Sequence, residues 1–258
     1  MCLLIIAHQT SDQLPLVIAA NRDEFHNRPT ARSTFWQEHP TLLAGRDLQQ
    51  GGTWMGITRD GRFAALTNFR DPARTTTAPR SRGELPLNFL TGVTGPEQYM
   101  NALSATAHDY AGFNLLLGDG HGLWYCSNSN GQRDVAPRQL EPGVYGLSNA
   151  LLDTPWPKVT RGRAAMLEAL ESAAPDHDRL ADVVNDRAIA NPVELREQGL
   201  DHEMDQLLSA QFIITQRYGT RCTTTMWTDD QGVAHWREVS FDSRGEEQAR
   251  QTVEFQIQ

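Results

Sequence analysis

The sequence predicts an α+β fold, a four-layer αββα sandwich in which two antiparallel sheets are flanked by helices. Short apolar runs occur in pairs separated by turn residues, and segments of helical period lie between those pairs. The chain has 258 residues, of which 39% are hydrophobic, so it can bury a large core. Because no internal repeat, low-complexity tract or linker interrupts it, we expect one domain over residues 1–258.

Four pairs of apolar runs predict β-hairpins. The first pair joins residues 2–8 to residues 15–21 through a polar turn. Because both of these runs are apolar throughout, we expect them at the centre of a sheet. The other hairpins are expected over 53–69, 112–127 and 222–241, and each turns at a sequence that contains glycine.

Four segments between the hairpins have helical periodicity, namely 84–92, 96–107, 157–173 and 177–189. The clearest is 157–173, because its apolar residues recur near one face of a helix. These residues are Val159, Ala164, Met166, Leu167 and Leu170.

Charge and cysteine content argue against several classes of function. The chain carries 23 basic and 32 acidic residues, a net charge of −9, and it has no basic run, so we expect no nucleic-acid partner. Cys2, Cys126 and Cys222 have no CxxC spacing, which argues against a disulfide scaffold or a structural zinc site. Reduced thiols fit a cytoplasmic location, and we expect Cys126 and Cys222 to be buried strand residues. No metal site is predicted.

The N-terminal segment predicts neither a signal peptide nor a membrane span. It lacks a basic region, and its apolar runs are too short for either role. We therefore expect no stable membrane insertion. The sequence gives no indication of the oligomeric state.

Cys2 follows the initiator methionine, and it is the residue around which any chemistry would be organised. If Met1 is removed, Cys2 carries both a thiol and a free α-amine, whose ordinary pKa of about 7.7–8.0 suits a base near neutral pH. If Met1 is retained, this route to hydrolysis fails. The alternative interpretation is a small apolar residue that starts a strand.

A run of polar residues closes the second predicted strand at positions 21–24, and a hairpin would return it to the side of Cys2. An aspartate there could hold a protonated amine, and an arginine could favour the thiolate. Adjacent strand residues point to opposite faces. Two arrangements are therefore possible. In one, Arg22 faces away from Cys2. In the other, Glu24 rather than Asp23 lies on the same side of the strand as Arg22. A salt bridge at the strand end is the structural alternative.

Several blocks of the sequence, in order along nearly the whole chain, resemble the NRDE family, also called the transport and Golgi organisation family. The first are the cysteine at position two and the NRDEF segment at 21–25. The others are GGTW at 51–54, LTNFR at 66–70, SRG at 81–83, Asn149 with LDTPWPK at 152–158, and YGTR at 218–221.

That family is similar to the choloylglycine hydrolases and penicillin V acylases, which are N-terminal-nucleophile (Ntn) hydrolases that cleave amide bonds with a cysteine. The resemblance implies the Ntn type of αββα sandwich and a set of catalytic residues. Cys2 would be the nucleophile, Asp23 the carboxylate that binds the α-amine, Asn68 and Asn149 the oxyanion residues, and Arg221 an arginine near the thiol. Substrate-binding roles are expected for Arg22, Trp54 and Arg70. In the hydrolases the early arginine lies three residues before the aspartate, whereas Arg22 is adjacent to Asp23.

The resemblance leaves two functions open. One is Cys2-dependent acyl transfer, or amide or thioester hydrolysis, by an N-terminal cysteine amidohydrolase. The other is a non-catalytic carrier or chaperone for haem or for acyl-CoA and lipid, because eukaryotic relatives are implied in haem trafficking and lipid homeostasis. In both cases the partner is a small acyl or haem-like molecule. No cofactor is expected, and haem would be a carried ligand.

Overall fold

The computed structural model describes residues 2–70, 78–129, 135–171, 175–197, 200 and 203–258. In these residues the strands are β1 (Cys2–Ser11), β2 (Leu14–Phe25), β3 (Thr30–Phe35), β4 (Leu42–Asp47), β5 (Met55–Thr58), β6 (Phe63–Asn68), β7 (Phe113–Asp119), β8 (Gly122–Ser127), β9 (Arg138–Gln139), β10 (Gly143–Leu147), β11 (Tyr218–Thr228), β12 (Val233–Phe241) and β13 (Glu247–Gln256). The helices are α1 (Glu84–Thr91), α2 (Pro96–Leu103), α3 (Pro157–Glu171), α4 (His177–Asp182), α5 (Pro192–Glu197) and α6 (Glu203–Leu207).

The chain divides into two compact units. The first unit comprises Met1–Asn27, Pro142–Ser148 and Leu152–Glu254. The second unit comprises Arg28–Glu141, Asn149–Leu151 and Phe255–Gln258. The expectation of a single domain over residues 1–258 stays a prediction.

A six-stranded sheet of order β10-β1-β2-β11-β12-β13 forms the framework of the first unit. The hairpin of β1 and β2 lies inside this sheet, as the two apolar runs predict, and it pairs Ile6 with Ile18. Alternate β1 residues such as Leu3 and Ile5 are fully buried and form one cluster with Val159 of α3. Helix α3 therefore covers one face of the sheet and lies close to the start of β1.

A seven-stranded sheet forms the framework of the second unit, and its strands follow chain order from β3 to β9. The predicted hairpins β5–β6 and β7–β8 are present, and Gly61 makes the first turn with φ 79°. Helices α1 and α2 cover one face, where Phe89 and Met100 form one buried cluster with Leu115. Each unit thus consists of an antiparallel sheet with helices packed on it.

The predicted helix over 177–189 is too long, because α4 ends at Asp182. Beyond this point other parts of the chain bind the backbone carbonyls. The side chain of Asn21 donates to the carbonyl of Val184 at 2.7 Å, and the backbone N–H of Gln211 donates to the carbonyl of Asp186 at 3.0 Å. Because these carbonyls bind other parts of the chain, the helix does not continue beyond Asp182.

The helix predicted over 157–173 is present as α3, which extends to Glu171, and residues 172–174 lie outside the described residues. The assignment of Leu167 to its apolar face is wrong, because Leu167 is 53% exposed. The helix predicted over 96–107 is shorter than expected, since α2 ends at Leu103. No helix among the described residues is long and apolar enough to cross a bilayer.

Candidate functional site

Cys2 lies at the start of β1, directly opposite Arg22 of β2, and Arg22 is paired on its other side with Cys222 of β11. Residues paired in this way point to the same face of a sheet, so the three side chains share one face. They are buried, with exposed fractions of 9%, 6% and 5% for Cys2, Arg22 and Cys222. The register therefore places Arg22 on the side of Cys2, and alternation places Asp23 on the opposite side.

Asp23 is buried on the face of the sheet that α3 covers, and it is 1% exposed. The hydroxyl of Thr220 donates to Asp23 Oδ1 at 2.7 Å, and the hydroxyl of Tyr218 donates to the Asp23 carbonyl at 2.8 Å. Burial raises the pKa of Asp23, whereas the positive charge of Lys158 and the Thr220 hydrogen bond lower it. The buried carboxylate of Asp23 favours the charged form of a cation beside it.

Lys158 is the only lysine in the sequence, because 22 of the 23 basic residues are arginines. It lies in the first turn of α3, is 2% exposed, and donates from Nζ to the carbonyl of Leu208 at 3.0 Å. Burial lowers the pKa of Lys158, whereas the negative charges of Asp23 and Cys2 raise it. Lys158 thus carries the only side-chain amine of the sequence, and this amine is close enough to interact electrostatically with the thiol of Cys2.

The thiol of Cys2 is held protonated by its surroundings. Burial is the main cause that raises the pKa of Cys2, and the carboxylate of Asp23 raises it further. The guanidinium of Arg22 and a hydrogen bond from the backbone N–H of Asp23 act in the opposite direction. Ser148 fixes the backbone of residue 2, because its hydroxyl donates to the Cys2 carbonyl at 2.9 Å. Met1, whose removal the α-amine route requires, lies outside the described residues.

Arg221 lies where the pairing of β2 with β11 shifts by one residue, and such bulges redirect side chains. Its Nη1 donates to the carbonyl of Phe25 at 2.9 Å. Burial lowers the pKa of Arg221, and the positive charge of Arg22 lowers it further. The two arginines are therefore near enough to repel each other, and the carboxylate of Glu24 offsets part of this repulsion.

Three of the predicted site residues of the second unit lie together, namely Asn68, Arg70 and Asn149. The side-chain amide of Asn149 donates from Nδ2 to the carbonyl of Asn68 at 2.8 Å. The backbone N–H of Arg70 donates to the carbonyl of Asn149 at 2.7 Å. The oxyanion role of the two asparagines and the binding role of Arg70 stay predictions.

Trp54 packs within the second unit. Its indole fills the space beside Gly45, where a Cβ atom would lie 2.3 Å from Trp54 Cη2. The backbone carbonyl of Trp54 accepts a hydrogen bond from Leu66 at 2.8 Å. These contacts give Trp54 a packing role in the second unit, and its role in substrate binding stays a prediction.

Sequence reasoning missed Lys158 and Ser148 as members of the site. A lysine in the first turn of a helix opposes the helix dipole, and this unfavourable position in a chain with one lysine is the signal that could have identified it. Ser148 gives no such signal. Cys126 in β8 and Cys222 in β11 are free and buried, as predicted. No group of three or more His, Cys, Asp or Glu side chains in the described residues is arranged to hold a metal ion.

Sequence comparison finds one matching family and several relatives. The model of the Transport and Golgi organisation 2 family matches residues 1–243. Transport and Golgi organization protein 2 homolog from Homo sapiens is 38% identical over 261 residues, which cover 94% of this chain and 93% of the relative. The homolog from Bos taurus is 38% identical over 243 residues, which cover 88% of this chain and 86% of the relative.

Structural comparison finds Ntn hydrolases. A variant of conjugated bile acid hydrolase from Clostridium perfringens matches with a TM-score of 0.52 at 8% identity, covering 99% of this chain and 98% of that chain. The Caenorhabditis elegans ortholog of N-acylethanolamine-hydrolyzing acid amidase matches with a TM-score of 0.50 at 11% identity, covering 87% and 92%. At these identities the likeness shows the fold alone. It confirms the predicted α+β sandwich of the Ntn-hydrolase type.

Proposed function

The chain belongs to the Transport and Golgi organisation 2 family, and from this premise we propose that it transfers or hydrolyses acyl groups through the thiol of Cys2. The observation that carries the proposal is the group of buried charged side chains on the two faces of the sheet next to Cys2. Arg22 lies opposite it in the sheet, and Asp23 and Lys158 act on it electrostatically. Burying an ion costs several kcal/mol even after relaxation, so packing alone does not account for three such groups around one cysteine.

The likeness in fold supports this chemistry. The matched structures are an N-acylethanolamine-hydrolyzing acid amidase and a conjugated bile acid hydrolase. Both names describe hydrolysis of a conjugated acyl compound. We infer an amide or thioester of a small acyl molecule as the substrate class for this chain.

The proposed reaction has two stages. Cys2 Sγ bonds to the carbonyl carbon of the substrate while the thiol proton passes to a base, and the carbonyl oxygen becomes an oxyanion. Collapse of this intermediate breaks the bond to the leaving amine or thiol, which takes up the proton. Water then attacks the thioester, releases the acid and restores the thiol. The resemblance assigns Asn68 and Asn149 the role of hydrogen-bond donors that bind the oxyanion. Removal of one oxyanion donor costs roughly 3–4 kcal/mol of transition-state stabilisation.

Two amines are available as the base. One is the α-amine of Cys2 after removal of Met1, and the other is the side-chain amine of Lys158. An amine accepts a proton only in its neutral form, and burial favours the neutral form of Lys158. Asp23 is then the carboxylate that stabilises the ammonium formed as the thiol loses its proton. In this proposal Arg22 and Arg221 bind the acidic groups of the substrate.

Turnover of defined substrates tests the proposal. The purified protein is incubated with N-acetylcysteamine thioesters and with N-acylethanolamides of short and long acyl chains, and release of the acid is followed by mass spectrometry. We expect turnover of at least one substrate class, none with Cys2→Ala, and unchanged rates with the buried-cysteine control Cys126→Ala. Equal turnover by the wild type and Cys2→Ala would show that Cys2 is not the nucleophile.

A carrier for haem or acyl-CoA is the second candidate function. The raised pKa of Cys2 favours it, because a protonated thiol is a weak nucleophile and a carrier needs none. Titration with haem, and competition between a fluorescent acyl-CoA and unlabelled acyl-CoA, test this function. Saturable binding that persists in Cys2→Ala, without acid release by the wild type, would establish the carrier. Absence of saturable binding would exclude it.

A further inference from the structure

A cavity of about 180 Å³ lies in the first unit, between α4 and strands β11, β12 and β13. Three polar residues of its lining are buried, with exposed fractions of 6% for His177, 5% for Thr223 and 2% for Thr225, and apolar side chains such as Val239 and Phe241 complete the wall. None of the residues assigned to acyl transfer lines it. The cavity is therefore a separate feature that the proposed chemistry does not explain.

Three arginines line the cavity, namely Arg187, Arg237 and Arg250. Arg187 makes no ion pair with any residue that the structure describes, and its guanidinium lies 4.8 Å from the ring centroid of Phe212. In a chain with a net charge of −9, a cluster of three arginines is a local concentration of positive charge.

Two carboxylates at the cavity balance these arginines only in part. Arg237 pairs with Asp178 at 2.7 Å, and Arg250 pairs with Glu247 at 2.9 Å. The side chain of Asp178 is 80% exposed and that of Glu247 is 43% exposed. Ion pairs this exposed contribute little to stability, so an anion that carries more charge can replace them.

His177 lines the cavity with a buried, uncharged imidazole ring. Its Nδ1 shares a hydrogen bond of 2.7 Å with the hydroxyl of Thr225, while its buried Nε2 has no hydrogen-bond partner among the described residues. Burial lowers the pKa of His177 to about 4, so the ring is neutral at pH 7. The positive charge at the cavity therefore comes from the arginines and not from His177.

From the three arginines, the buried threonines of the wall and the size of the cavity, we infer a binding site for a phosphate group. Guanidinium groups match the oxygens of phosphate through paired hydrogen bonds, and a phosphate dianion carries more charge than either carboxylate that it displaces. The cavity is smaller than the roughly 300–1,000 Å³ of pockets for drug-sized ligands. It therefore takes inorganic phosphate or the phosphoryl end of a larger molecule.

Isothermal titration calorimetry with inorganic phosphate, at constant ionic strength, tests this site in the full chain. Phenyl phosphate in a second titration distinguishes a monoester site from a site for the free ion, and acetate in a third tests selectivity. We expect saturable binding of phosphate or the monoester, weakened roughly 10- to 100-fold by Arg187→Gln or Arg250→Gln. Arg187→Gln removes no ion pair of the described residues, so it should leave folding unchanged, as circular dichroism would verify.

The matched control is Arg244→Gln, which removes the same charge from a side chain that is 81% exposed and does not line the cavity. We expect this variant to bind phosphate like the wild type. Three outcomes would overturn the inference: no saturable binding of either phosphate ligand, equal affinity of wild type and both cavity variants, or equal weakening by Arg244→Gln. Acetate binding as tight as phosphate would overturn the phosphate assignment.

Discussion

Cys2 and Arg22 are direct register partners of β1 and β2, so the thiol and the guanidinium of the candidate site arise from one face of the sheet. Burial raises the pKa of Cys2, and the nearby charge of Arg22 lowers it. Burial is the larger influence. The thiol is therefore protonated in the resting protein, and a nucleophilic role requires a base at the moment of attack.

The reaction of Cys2 with iodoacetamide should be slow at pH 7 and should rise with pH. Only the thiolate reacts, and because burial raises the pKa of Cys2, the thiolate forms above the usual range for a cysteine. The measurement is the alkylation rate between pH 6 and 10, mapped to the Cys2 peptide by mass spectrometry. A half-maximal rate below pH 8 would contradict the account, since it would reveal a stabilised thiolate. We expect Arg22→Gln to move the profile to still higher pH.

The side chain of Lys158 should titrate below the ordinary lysine pKa of about 10.4. Because the chain has one lysine, ¹⁵N-lysine labelling gives a single side-chain NMR signal whose shift can be followed against pH. Burial lowers this pKa and Asp23 raises it, so Asp23→Asn should lower it further. A pKa at or above the ordinary value, or a rise in Asp23→Asn, would exclude Lys158 as the base.

Lys158→Met should lower the free energy of unfolding by about 3–5 kcal/mol, because it removes the positive charge that acts most strongly on the buried carboxylate of Asp23. The double variant Asp23→Asn, Lys158→Met should recover much of this loss. Urea unfolding of the wild type, both single variants and the double variant measures the coupling.

Arg161→Met is the control for this cycle. It removes a basic side chain from the same helix, but its ion pair with Asp186 is 38% and 37% exposed. We expect a loss of about 0–1 kcal/mol for this variant. Additive losses from Asp23→Asn and Lys158→Met would show that the two groups do not interact.

His177 should make the protein less stable in acid. Its pKa is lowered to about 4, first by burial and then by the positive charge of Arg237 and by His235, while Glu254 and Asp178 act in the opposite direction. The ordinary value in the unfolded chain is about 6.5, so the unfolded state binds more protons between these limits. Stability from this group is therefore present above pH 6.5 and is lost as the pH falls toward 4.

The variant His177→Gln isolates this contribution from the titration of carboxylates. The measurement is the urea midpoint of the wild type and the variant at several values between pH 4 and 7. We expect the variant to lose less stability than the wild type over this range. Parallel curves for the two proteins would show that the pKa of His177 is not depressed by folding.

The parts of the fold that the sequence predicts are those with strong local signals. The hairpin of β1 and β2 is predicted by its apolar runs, because strands buried on both faces are apolar throughout. The hairpin of β5 and β6 is predicted by Gly61, because a positive φ favours glycine. Strand β13 has no comparable signal in the sequence. Most of its residues are polar, and its pattern of partial exposure follows from its place at the edge of the six-stranded sheet.

The candidate site could be predicted only in part. The resemblance names Asn68 and Asn149, which are 81 residues apart, and the structure brings them into contact. The relation of Lys158 to Asp23 depends on how α3 packs on the sheet. Local sequence pattern carries no information on that packing, so only the structure reveals this relation.

The most direct test of the central claim is intact-mass analysis of the protein after brief incubation with an N-acetylcysteamine thioester and acid quenching. Cys2 as nucleophile predicts a mass increase equal to the acyl group less the hydrogen that it replaces, located on the Cys2 peptide and retained in the buried-cysteine control Cys126→Ala. No adduct should form in Cys2→Ala. An adduct of equal yield in Cys2→Ala, or none in the wild type with any acyl chain, would contradict the account.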